Sequence, residues 1–83
     1  MAGSVDWREK RYREIFADSV RGIMRRRERD PSFSAADLEG TLASLYIMDG
    51  ADWGGRGEVQ DISLSATIAA HERVLAEWRA ETG

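Results

Sequence analysis

The sequence predicts an all-α protein, a three-helix antiparallel bundle with the option of pooling helices in a homodimer. Three observations predict it. Apolar residues recur at helical spacing in three separate segments, two corners (Asp30-Pro31 and the glycine-rich stretch at 49–58) interrupt the pattern, and no run alternates at the period of a strand. Helices are expected at about residues 6–29, 34–49 and 58–81, in one domain spanning residues 1–83.

In the first segment, Tyr12, Ile15, Phe16, Val20, Ile23 and Met24 fall at i, i+3, i+4, i+8, i+11 and i+12, which is one stripe of an amphipathic helix. Asp6 followed by Glu9 resembles a capping box. Arg25, Arg26, Arg27 and Arg29 occupy the last turns, where cations suit the negative end of the helix dipole. Asp30-Pro31 ends the helix, because proline lacks a backbone N–H and disfavours helical geometry in the residue before it.

The second helix starts at a strong local signal. Ser34 with Asp37 three residues later can cap a new N-terminus, and Phe33 and Leu38 occupy the two positions of a hydrophobic staple. Leu38, Leu42, Leu45, Tyr46 and Met48 then form the expected stripe, widened by Ile47, before Gly50 supplies a C-cap. Gly40 inside this helix costs about 1 kcal/mol relative to alanine and is read as tolerated.

In the third segment Leu64, Ile68, His71, Leu75 and Trp78 repeat with spacings of 4, 3, 4 and 3, a heptad seam of two repeats. Ile62, Ala66, Ala69, Ala70 and Val74 broaden it. Their small side chains permit close approach, so this helix is expected to pack on more than one neighbour.

An 83-residue chain without cysteine has neither a disulfide nor a thiolate metal site to support a small core, and a reducing compartment is its natural setting. Eleven of its hydrophobic residues are alanine, which contributes little burial per side chain. The opening Met-Ala-Gly-Ser-Val-Asp has no apolar core of signal-peptide length, and no run reaches the roughly 18 apolar residues of a membrane span. A cytoplasmic protein is expected. The net charge of −3 conceals nine Lys/Arg against six Asp/Glu in residues 1–30 and three against nine in 31–83, so oppositely charged helices should associate.

Candidate sites were sought in each corner and charge cluster. Glycines before a helix can aim backbone N–H groups at an anion, but Gly57 is followed by Glu58 and Val59, without the Lys-Ser/Thr pair of a phosphate loop, and a structural turn is favoured. Asp49, Asp52, Glu58 and Asp61 could gather around a cation. A calcium loop starting at Asp49 would meet Ala51 and Trp53 where oxygen ligands belong, so carboxylates satisfying helix starts are the better explanation.

Trp53 is expected to plug the corner, with Arg56 locking the loop; exposed, the same pair would form a binding hot spot. Trp53-Gly54-Gly55 is similar to the Trp-x-Gly turn of a family of secreted helical hairpins, which would imply a secretion substrate. The short second helix and the basic helix before it depart from that family's pattern, and the likeness is not carried into function.

The cluster Arg25, Arg26, Arg27 and Arg29 is the nucleic-acid candidate, since grouped guanidinium groups neutralise phosphates. Glu28, Asp30, the sequence pI near 5.1 and the absence of interleaved aromatics oppose it. His71, the sole histidine, lies on the apolar seam without an evident catalytic partner, and a packed histidine outweighs catalysis. Trp7 falls off its helix stripe, where it either caps the bundle end or faces a partner.

The function expected from these features is a non-enzymatic protein–protein interaction module, homodimeric through helix 3 and part of helix 1. Its contact residues would be Trp53, Arg56, Leu64, Ile68, His71, Leu75 and Trp78, with no cofactor and no metal. Another helical protein is an alternative partner, nucleic acid a weaker one, and no membrane contact is expected.

Overall fold

The computed structural model describes residues 7–50 and 58–82. They form three helices, α1 (Trp7–Arg29), α2 (Ala35–Gly50) and α3 (Glu58–Thr82), with each boundary within one residue of expectation. Among the described residues there is no strand.

The corner between α1 and α2 is built as its side chains require. The Asp30 N–H closes the last turn onto the Arg26 carbonyl at 2.8 Å, and the Phe33 N–H donates to the Asp30 carbonyl at 3.0 Å. One Asp30 carboxylate oxygen accepts from the Ser32 N–H at 3.0 Å and the Ser32 hydroxyl at 2.6 Å, an Asx-turn. The capping box then forms in both directions. The Asp37 N–H donates to Ser34 Oγ at 3.2 Å, and the Ser34 N–H donates back to the Asp37 carboxylate at 2.9 Å. Phe33 and Leu38, the two staple residues, both enter the core.

Helix α3 is the central element. Both α1 and α2 pack along it, whereas the backbones of α1 and α2 do not approach each other. Arg27 near the C-terminus of α1 reaches Glu81 near the C-terminus of α3, so those two helices run parallel. Glu39 pairs with Arg79 and Tyr46 with Glu72, so α2 runs antiparallel to α3 and, by the same geometry, to α1. Consecutive helices are therefore antiparallel.

Two rows on α3 divide the packing. Ala66, Ala70 and Val74, each at most 1% exposed, lead along the helix toward Glu81 and so face α1. Ile68 and Leu75 sit beside Glu72 and Arg79 and face α2. The residues between the rows, Leu64, His71 and Trp78, lie where α1 and α2 diverge. Alanine in the first row lets α1 approach closely, which is why a core poor in large side chains still closes.

The core comprises Ile23, Phe33, Leu38, Leu42, Ile68, Val74, Leu75 and Trp78, with Val20, Ala35, Leu45 and Leu64 packed against it. No polar side chain is buried among the described residues. Two expected stripes are narrower than their spacing implied. Tyr12 and Met24 of α1 are exposed, and on α2 so are Tyr46, Ile47 and Met48. At about 100° per residue, positions 46, 47 and 48 sweep more than half the helix circumference. Leu38, Leu42 and Leu45 hold the face toward α3, which leaves Tyr46 and Met48 on the flanks and Ile47 pointing away.

Leu38 is the largest fully buried residue of α2, and Leu38→Ala is expected to cost about 2 to 5 kcal/mol. That is comparable to the whole net stability of a domain this size, so urea denaturation should find the variant largely unfolded at 25 °C. Ser34→Ala is expected to lower stability by about 1 kcal/mol through loss of the cap. An ideal Cβ at Gly40 meets no atom within 4 Å, so Gly40→Ala should raise stability by about 0.5 to 1 kcal/mol in the same titration.

Candidate interaction surfaces

The heptad seam expected to meet a partner meets α1 and α2 instead. Ile68, Leu75 and Trp78 are buried within the chain, and Leu64 and His71 are half-buried. A side chain already desolvated by its own subunit has little apolar area left for a second one, so partner surface lies elsewhere. Trp53 and Arg56 lie outside the described residues.

The arginine cluster divides into two roles. The Arg26 guanidinium lies 4.3 Å from the centroid of Phe33, and that of Arg27 lies 4.1 Å from the centroid of Trp78. Phe33 and Trp78 themselves meet edge to face, with centroids 5.7 Å apart and planes at 62°. Arg27 also donates two hydrogen bonds to the Glu81 carboxylate, at 2.7 and 3.2 Å. Two aromatic rings and two guanidinium groups thus close the end of the bundle at which α1 and α3 terminate. Arg25 and Arg29 are exposed and make no ion pair with another described residue. Half of the predicted phosphate-binding charge is engaged in packing.

Charge complementarity between the basic first helix and the acidic remainder is realised at that end, through Arg27 and Glu81. The remaining ties between α2 and α3, Glu39 with Arg79 and Tyr46 with Glu72, are exposed. The Tyr46 hydroxyl donates to the Glu72 carboxylate, which raises the tyrosine pKa because ionisation would break the bond and place two anions together. The Glu81 carboxyl is held below its usual value, first by its hydrogen bonds from Arg27 and then by that cation's field. Asp30 is lowered by its two bonds from Ser32, with a smaller contribution from Arg26.

Asp49 and Asp61 are exposed, and among the described residues no group of three or more His, Asp or Glu side chains is placed to hold a metal. No helix among them is long and apolar enough to cross a membrane.

Two features escaped the expected site set. The first is the α2 surface turn Tyr46-Ile47-Met48, with exposures of 47%, 73% and 48%. Along the same outer side run Ala36, Gly40 and Ala43, all exposed and uncharged. Trp7 at 53% and Tyr12 at 37% lie on the N-terminal half of α1, toward the end of the bundle where α2 finishes. The second is a shallow cleft where α1 and α2 diverge, lined by Ser19, Gly22, Ile23, Arg26, Phe33, Leu38, Thr41 and His71. His71 forms part of it, its Nδ1 2.7 Å from the Thr67 carbonyl. The helical period of α2 carried the first signal; the cleft exists only in three dimensions.

A scan of protein-family models, a search of curated proteins and a search of solved structures each found no match to this chain.

A lowered carboxylate contributes stability above its unfolded pKa and loses it as the pH falls through the folded value. Glu81 and Asp30 therefore make the fold weaken as the pH drops below about 4, the ordinary carboxylate range. Denaturant midpoints measured from pH 7 to pH 2 should decline on that limb, and Glu81→Gln should lower the pH 7 midpoint while flattening the decline.

Proposed function

We propose that the protein is a non-enzymatic helical interaction module that pairs with a second copy of itself through the outer turn of α2. One observation carries the proposal: Ile47 holds a large aliphatic side chain 73% exposed, directly opposite the core face of its helix and between two other exposed apolar residues. A chain with so few large core residues exposes such a group at a cost in solubility, and burying it against an identical patch removes that cost. The patch continues along Ala36, Gly40 and Ala43, whose small side chains admit another helix at close range. A cytoplasmic setting accords with the absence of cysteine.

Nucleic-acid binding through Arg25, Arg26, Arg27 and Arg29 has less support, because Arg26 and Arg27 already hold the rings of Phe33 and Trp78.

Light scattering at tens of micromolar protein should give twice the chain mass of 9.3 kDa, at low and at moderate salt alike, since the contact is apolar. Ile47→Lys should give the monomer mass with unchanged helical circular dichroism, because substitution of a residue this exposed shifts stability by about 0.5 kcal/mol or less. A monomeric parent chain across that concentration range rejects the proposal.

A further inference from the structure

The cleft between α1 and α2 has a volume of about 270 Å³, just under the range typical of pockets for drug-sized ligands. Its apolar wall is Ile23, Phe33 and Leu38, three core residues whose positions are fixed by packing. Its polar groups come from all three helices: Ser19 and Arg26 from α1, Thr41 from α2 and His71 from α3. A rigid apolar wall with a few converging polar groups is how proteins receive small organic ligands.

We propose that this cleft binds a small organic carboxylate with a one-ring apolar body, the ring against Ile23, Phe33 and Leu38 and the carboxylate on Arg26. The polar groups are free to receive it. Arg26 is held over Phe33 by its π-face alone, so its N–H edge has no hydrogen-bond partner among the described residues, and a guanidinium edge matches a carboxylate in two-point geometry. Ser19 makes no hydrogen bond with another described residue and can donate to the same anion. Thr41 donates its hydroxyl proton to the Asp37 carbonyl at 3.2 Å, which leaves its oxygen as an acceptor. With Nδ1 of His71 on the Thr67 carbonyl, Nε2 is the ring nitrogen left for a ligand hydroxyl or amine.

Gly22 gives the cleft its width. An ideal Cβ there meets nothing within 4 Å, so the missing side chain leaves open space beside Ser19 and Arg26. A large residue at 22 would fill that space while leaving the packed side of α1 untouched. The cleft can thus be blocked without disturbing the core.

Benzoate is the probe, with benzyl alcohol as the uncharged control, each titrated to millimolar levels into isotope-labelled protein by amide NMR. Saturable shifts are expected at Gly22, Ile23, Thr41 and His71 with benzoate, about tenfold weaker with benzyl alcohol and in Arg26→Met. Gly22→Leu should abolish them while keeping the thermal melt of the parent chain. Absence of saturable shifts in the parent chain overturns the proposal, as does undiminished benzoate binding in a folded Gly22→Leu chain. A change in oligomeric state on Gly22→Leu without benzoate binding to the parent would also overturn it, by assigning the cleft to a partner's side chain.

Discussion

Edge-to-face contact between Phe33 and Trp78 is the point on which this bundle depends. Phe33 belongs to the corner that ends α1 and starts α2, and Trp78 belongs to the last turns of α3, so a single ring pair ties both connections to the central helix. Arg26 and Arg27 lie over the two rings, and Arg27 continues to Glu81. An aromatic pair of this kind is worth about 0.5 to 1.5 kcal/mol beyond its buried area, which matters in a domain whose whole net stability is about 3 to 5 kcal/mol. Without it the two outer helices would share only α3, since their backbones do not meet.

The central position of α3 follows from its side chains. Fully buried Ala66 and Ala70 bring α1 close on one side, while Ile68 and Leu75 fill the wider space toward α2 on the other. Because α1 and α2 each commit their apolar faces to α3, a gap is left between them. That gap is the cleft bordered by Gly22 and His71. The same economy explains the outer surface of α2, whose core-facing residues satisfy α3 and leave Ile47 on the opposite side.

Much of the fold was legible in the residues. Pro31 with Asp30 stops a helix by local sterics, and Ser34 with Asp37 restarts one by satisfying orphan amides, so neither signal needs tertiary context. The seam on α3 was legible as a buried face, but not as a face buried within the subunit. A heptad reports that something covers the helix and is silent on whether the cover is the same chain or another. The arginines at 25–29 looked alike in sequence; Arg26 and Arg27 differ from Arg25 and Arg29 only in which ring lies beneath them. Met48 and Tyr46 were misplaced because an apolar run of three consecutive residues cannot share one helical face, and only the position of α3 selects which members are covered.

By itself, the sequence determined what is short in range: the three helices, their ends, the capping box and the absence of cysteine chemistry. Those features depend on groups within about four residues of one another, where backbone geometry leaves few choices. Tertiary structure alone decided that α3 lies between the other two, that its seam is covered inside the chain, that two arginines brace an aromatic pair, and that Gly22 borders a cleft. Each of these depends on which surfaces meet after three rods dock, and that is set by the combined shape of side chains up to 54 residues apart, as Arg27 and Glu81 are.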